Sequence, residues 1–85
     1  MDQNLKLQLT VRNRERVLIN EEVKSLSSYN DKGVFDVLPE HTNFISLIHK
    51  FIAVRRVNGE TLQIKLENGI MRVFKEKIDV FLGLK

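Results

Sequence analysis

Residues 52–82 read Ile52-Ala53-Val54-Arg55-Arg56-Val57-Asn58-Gly59-Glu60-Thr61-Leu62-Gln63-Ile64-Lys65-Leu66-Glu67-Asn68-Gly69-Ile70-Met71-Arg72-Val73-Phe74-Lys75-Glu76-Lys77-Ile78-Asp79-Val80-Phe81-Leu82, and this stretch decides the fold class. Leu62, Ile64 and Leu66 alternate with Thr61, Gln63, Lys65 and Glu67, the period of two that lays one face of a strand on a core. Asn58-Gly59 precedes that strand and Asn68-Gly69 follows it. Asn-Gly is the pair that best tolerates the positive φ angles of a two-residue hairpin turn. The segment therefore reads as one hairpin from Ile52–Val57 to Leu62–Leu66 and a second on to Ile70–Phe74. Lys75-Glu76-Lys77 then leads into a last strand through Ile78, Val80 and Leu82.

Outward from this segment the same grammar continues. Phe44, Ile45, Leu47 and Ile48 suit a short strand, although their spacing also fits one helical turn. Pro39-Glu40-His41-Thr42-Asn43 reads as a corner, because Pro39 fixes its own φ and has no amide to donate. Val34, Phe35, Val37 and Leu38 return to the core, and Ser27 to Gly33 has the composition of an exposed loop. Arg16 to Leu26 reads as a long bent strand whose three-residue step from Val23 to Leu26 calls for a bulge or strong twist. Arg12-Asn13-Arg14-Glu15 separates it from an opening strand with Leu5, Leu7, Leu9 and Val11 on one face. The expectation is an all-β domain over residues 1–85: a small antiparallel two-sheet β-sandwich, or flattened barrel, of about eight to ten short strands.

Eighty-five residues of 9.9 kDa allow one core and no more. The 14 Lys and Arg against 11 Asp and Glu leave a net charge of +3, which permits a polyanionic partner without requiring one. No cysteine is present, so disulfides, thiolate metal sites and cysteine nucleophiles are excluded. The longest apolar run is the four residues Phe51 to Val54, far short of the roughly 20 that cross a bilayer as a helix. The start, Met1-Asp2-Gln3-Asn4, has neither the positive flank nor the apolar stretch of a secretory signal.

Catalysis finds little support. His41 and His49 are the side chains suited to acid–base work, but no Ser or Thr stands in a nucleophile setting beside them. His41 is better explained by the Pro39 corner, and His49 by a strand end or turn. Two histidines eight positions apart match no metal-ligand spacing. No glycine-rich phosphate loop occurs, so no cofactor and no metal is expected. Nucleic-acid binding is the alternative that the residues themselves raise. Arg12, Arg14, Arg16, Arg55, Arg56, Arg72, Lys75 and Lys77, with Tyr29, Phe51 and Phe74, are the materials of a single-strand-binding barrel. Glu15, Glu21, Glu22, Glu60, Glu67, Glu76 and Asp79 are interleaved with them, which favours an ordinary mixed surface.

Four segments, covering nearly the whole chain, resemble the N-terminal β-sandwich domain of the epsilon subunit of F-type ATP synthases, and Leu5 to Val11 is similar to that family's opening strand. Arg16 to Leu26 is similar to that family's second strand. Gly33-Val34-Phe35-Asp36-Val37-Leu38-Pro39-Glu40-His41-Thr42-Asn43-Phe44-Ile45 resembles its Gly-acidic-x-Gly-x-hydrophobic-Pro-Gly-His-Ala-Pro-Leu-hydrophobic segment. Asn68-Gly69-Ile70-Met71-Arg72-Val73 resembles its Gly-Gly-hydrophobic-hydrophobic-Glu-Val hairpin. Asp36 and Glu40 stand where the family has Gly, Asn43 where it has Pro, and Val34 where it has an acidic residue. The exchange of Gly for Glu40 bears most on the geometry of the corner.

The resemblance implies a non-catalytic central-stalk subunit that binds the gamma subunit and the c ring and helps couple proton flow to ATP synthesis. It implies a c-ring contact at Tyr29, Asn30, Asp31, Lys32, Gly33 and Val34, a gamma contact at Asn13 and His41, and a structural corner at Pro39 and His41. It places the protein at the cytoplasmic face of the bacterial inner membrane, peripherally and without insertion. Family members continue into a C-terminal helical pair that restrains ATP hydrolysis. A chain ending at Lys85 is expected to lack that hairpin, and so to assemble and couple without inhibiting. A stand-alone adaptor built on the same sandwich is the remaining alternative.

Overall fold

The computed structural model describes residues 6–40 and 43–83. Six strands account for the fold: β1 (Leu7–Arg12), β2 (Val17–Asn30), β3 (Gly33–Val37), β4 (Phe44–Arg56), β5 (Thr61–Phe74) and β6 (Lys77–Leu82). Neighbouring strands follow the order β1-β6-β5-β4-β2-β3, and β1 also pairs with β2. That last pairing closes β1, β6, β5, β4 and β2 into a ring, with β3 attached to the second half of β2. Among the described residues no helix is long and apolar enough to cross a membrane.

The core is drawn from every strand. Leu7, Leu9 and Val11 of β1, Val23 and Leu26 of β2, and Val37 of β3 meet Ile48, Ile52 and Val54 of β4, Met71 and Val73 of β5, and Ile78 and Val80 of β6. The period-two spacing holds on each strand between its irregularities, as a sheet with one dry face requires. Ser28 is fully buried among these apolar side chains, and its hydroxyl donates to the Phe51 carbonyl at 2.8 Å. That bond offsets the cost of burying a hydroxyl.

Six strands replace the eight or more expected, because two pairs are continuous. Phe44–Ile48 is a strand, not a helical turn, and runs through His49 and Lys50 into Ile52–Arg56 as β4. His49 is thus a mid-strand residue and not a strand end. Asn68-Gly69 is not a turn either: β5 passes straight through it. His49 pairs with Asn68 and Lys50 with Leu66, which leaves Glu67 as a bulge. The extra residue changes which parity faces inward, from Leu62, Ile64 and Leu66 to Gly69, Met71 and Val73. The sequence shows the same phase change whether it comes from a bulge or a turn.

The bulge expected between Val23 and Leu26 is present. Val23 pairs with Arg56 and Ser25 with Arg55, leaving Lys24 unmatched. The Asn58-Gly59 hairpin also forms, but with a three-residue loop. Gly59 N–H donates to the Arg56 carbonyl at 2.9 Å, Arg56 N–H donates to the Glu60 carbonyl at 2.8 Å, and Gly59 takes φ 93°. A type I turn followed by a left-handed glycine fits that bonding. One pair in the sheet is parallel, β1 with β6, where an antiparallel sandwich was expected. First and last strands meet without a hairpin between them, so no turn constrains their direction.

Candidate contact surface

The expected loop at Ser27–Gly33 is mostly strand. Ser27 to Asn30 belong to β2, Asn30 pairs with Gly33, and only Asp31 and Lys32 turn. The Asn30 carboxamide builds this turn. Its Oδ1 accepts from Lys32 N–H at 2.9 Å, and its Nδ2 donates to Ser46 Oγ on β4 at 3.1 Å. The Lys50 ammonium lies 4.1 Å from the centre of the Tyr29 ring, reached from a backbone with φ 74°. The His49 Nε2 stands 3.7 Å from Asp31 Oδ1. Tyr29 and Asn30 are therefore strapped to β4, and what the strapping leaves outside is Asp31, 92% exposed at its side chain, Lys32 and Val34.

These residues have neighbours that the sequence reading recognised only as apolar strand residues. Ile45 and Leu47 of β4 point outward at 70% and 60% exposure and line a shallow hollow together with Asn30, Asp31 and Lys32. The registers extend the face across three strands. Leu47 pairs with Ile70 and Ile70 with Phe81, while Ile45 pairs with Arg72 and Arg72 with Asp79. Arg72 donates to Asp79 at 2.8 Å, so the charge in this face is internally balanced. Phe74, 52% exposed, joins Ile45 around a small apolar cleft. Several large apolar side chains exposed together mark a contact surface far better than the same residues scattered. Alternation alone does not reveal them, because the parity of β5 is settled by the Glu67 bulge.

The other proposed contacts lie elsewhere. Asn13 closes the turn between β1 and β2: its Oδ1 accepts from Glu15 N–H at 2.8 Å and from Arg16 N–H at 2.9 Å, and its own N–H donates to the Arg16 carbonyl at 3.0 Å. With its side chain thus occupied, Asn13 shapes the turn, and Arg14 and Glu15 are what the turn presents. His41 lies outside the described residues. Pro39 is half-buried, and Glu40 after it takes φ 69°, the left-handed conformation that favours the glycine of the family pattern. Beyond the corner, Asn43 Oδ1 accepts from Lys75 N–H at 2.7 Å and ties it to the β5–β6 turn.

Of the basic residues, Arg56 is taken up by Glu21 in a two-pronged contact at 2.9 and 3.2 Å, and Arg72 by Asp79. The Tyr29 ring is covered by Lys50, Phe51 is half-buried, and Phe74 alone of the three is open, with the Lys75 ammonium 5.5 Å from its ring centre. A stacking platform for bases needs open aromatic faces beside free cations. Among the described residues no group of three or more His, Asp or Glu could hold a metal ion.

Residues 6–82 match the family described as "ATP synthase, Delta/Epsilon chain, beta-sandwich domain". The chain belongs to this family. A curated relative, the ATP synthase epsilon chain of Sulfurovum sp., is 27% identical over 62 residues, which are 72% of this chain and 48% of that one. The delta/epsilon fold recurs in a chain of the Euglena gracilis mitochondrial ATP synthase, solved by cryo-EM with its c-ring, at TM-score 0.86 and 18% identity. That match covers 96% of this chain and 53% of the other. A chain of the Tetrahymena thermophila mitochondrial ATP synthase central stalk and c-ring matches at TM-score 0.76 and 10% identity, over 91% and 63%. The delta/epsilon sandwich described here thus spans about half the length of the curated relative it matches.

Proposed function

We propose that this chain is a non-catalytic part of the central stalk of a rotary ATP synthase, seated peripherally on the cytoplasmic face of a bacterial inner membrane. In this reading the β2–β3 turn, residues 29–34, rests on the c ring, and Ile45 and Leu47 widen its footing. The gamma subunit takes the Asn13 turn and the corner at Pro39 and His41. The chain moves no electrons and breaks no bond; it transmits torque between proton flow and ATP synthesis.

One observation carries the reading beyond family membership. The Asn13 turn and the β2–β3 turn lie at opposite ends of β2, whose 14 residues span up to about 43 Å at a strand's rise of ~3.3 Å per residue. A body that couples two partners needs two separated surfaces and little give between them. Here the same strand joins both, and it is bonded to β1, β3 and β4 along its length.

Calorimetric titration of the chain with the purified gamma subunit of the same organism, at physiological salt, tests this. A one-to-one complex of about micromolar affinity or tighter is expected. No heat and no co-elution on a sizing column would sink the stalk reading. Binding of single-stranded oligonucleotide with a steep salt dependence would put nucleic acid in its place.

A further inference from the structure

Strand β5 contains its own control. From Gly69 to Phe74 it has β4 on one side and β6 on the other, and its inward-facing Met71 and Val73 are 0% and 1% exposed. From Thr61 to Leu66 it has β4 alone among the described residues. There the inward-facing Leu62, Ile64 and Leu66 pack against the core yet remain only half-buried. The same strand, with the same kind of side chains, is sealed where a neighbour lies beside it and unsealed where none does.

The backbone along that stretch is equally open. The β4–β5 ladder starts at the bond from Arg56 N–H to the Glu60 carbonyl. Antiparallel alternation then turns the amides of Leu62, Ile64 and Leu66 toward β4 and those of Thr61, Gln63 and Lys65 toward the unpaired edge. Edges of this kind are normally blunted by proline, bulges or charge. Between Thr61 and Leu66 there is no proline and no bulge, and Lys65 is the single charge; the bulged, acidic Glu67 ends the stretch. Of the other one-sided stretches among the described residues, β3 is short and carries Asp36, residues 17–22 of β2 carry Glu21 and Glu22, and residues 44–51 of β4 are interrupted by Lys50 at φ 74°.

We propose that the Thr61–Glu67 edge of β5 pairs with the same edge of a second copy of this chain, antiparallel about a two-fold axis through Ile64. The sequence is self-complementary in that register. Leu62 falls opposite Leu66 of the copy, Ile64 opposite Ile64, Gln63 opposite Lys65 and Thr61 opposite Glu67, so no like charges face each other directly. Gln63 and Lys65, whose amides point outward, become the hydrogen-bonded pairs, and the two Ile64 residues meet at a non-bonded pair, where side chains come closest. An axis through Gln63 would set Leu66 against Glu60 and leave that apolar side chain uncovered. The contact is isologous and closes on itself, giving a dimer and not a fibre. The pairing is a property of the free chain and stands independently of the stalk reading.

Two experiments decide it. Sedimentation velocity on the full chain, from ~1 μM to ~1 mM, should show a monomer–dimer equilibrium that Gln63→Pro weakens by about tenfold or more, because proline removes a donor aimed at the open edge and none aimed at β4. The two Lys65 ammonium groups sit diagonally across the axis, so raising salt should strengthen association. Because the chain has no cysteine, Ile64→Cys introduces a single thiol. At a non-bonded pair the Cα atoms lie ~4.5 Å apart, within disulfide range, so mild oxidation should give a covalent dimer where Asn58→Cys gives none. The cross-link decides the matter if Gln63→Pro fails to fold. A chain monomeric throughout with no Ile64→Cys cross-link overturns the proposal, as does a dimer untouched by Gln63→Pro and not cross-linked at position 64.

Discussion

A single methyl group added at Gly69 tests how the sheet closes. Gly69 is buried in β5, opposite Leu82 at the last pairing of β6, and its φ is not in the left-handed region. Glycine is therefore not needed there for backbone freedom. It is needed for space: a Cβ would stand 2.7 Å from the Phe81 carbonyl oxygen and 3.2 Å from Leu82 Cδ2. Ordinary contact begins near 3.4 Å, so the carbonyl must retreat by about 0.7 Å, and it belongs to the backbone of a strand bonded on both sides. Overpacking of this size costs about 1–3 kcal/mol, and alanine returns about 0.5–1 kcal/mol by restricting the unfolded chain. Gly69→Ala should lose about 1–2 kcal/mol net, which in a domain of this size lowers Tm by roughly 4–16 °C by differential scanning calorimetry. Leu82→Ala in the same chain should rescue little, since the shorter contact is to backbone. An unchanged or raised Tm for Gly69→Ala would show that β6 does not approach β5 this closely, and the reason given for a glycine inside this strand would fail.

Other consequences are simpler to state. Glu40→Gly should stabilise the chain by up to about 1 kcal/mol in urea titration, because φ 69° costs a non-glycine residue roughly 1–2 kcal/mol and glycine gives back part of that in entropy. Arg56→Ala, which breaks the two-pronged contact with the part-exposed Glu21, should cost no more than about 1 kcal/mol in the same assay. Ser28→Ala should cost about 1 kcal/mol, since it strips the Phe51 carbonyl of a buried donor. Replacing Asp31 and Lys32 together by alanine should leave far-UV circular dichroism unchanged while weakening capture by a purified c ring, and undiminished capture would remove the turn from that interface.

The family features in the sequence sit at turns, and the structure gives several of them a physical cause. Glu40 occupies a left-handed position where the pattern has glycine, and Lys24 bulges out of the Val23-to-Leu26 step. Asn13, read as a contact, also holds its own turn. Asn30 does the same and also reaches across to Ser46, a residue 16 positions along the chain that only folding makes its neighbour. Ile45 and Leu47 were legible as apolar but not as exposed.

By itself the sequence determined that the chain is all-β, that it has a single core, and which residue types fill that core, because period-two alternation and turn residues act over a few positions. It also carried the family resemblance. Only the tertiary structure decided that Asn68-Gly69 lies inside a strand, that β1 runs parallel to β6, and that Ile45, Leu47, Ile70 and Phe81 form one outward face. Each of these depends on which strand lies beside which. A one-residue bulge at Glu67 reverses the face of everything after it and leaves in the sequence the same phase change as a turn, and the neighbour that requires Gly69 lies beyond the few residues that local alternation can read.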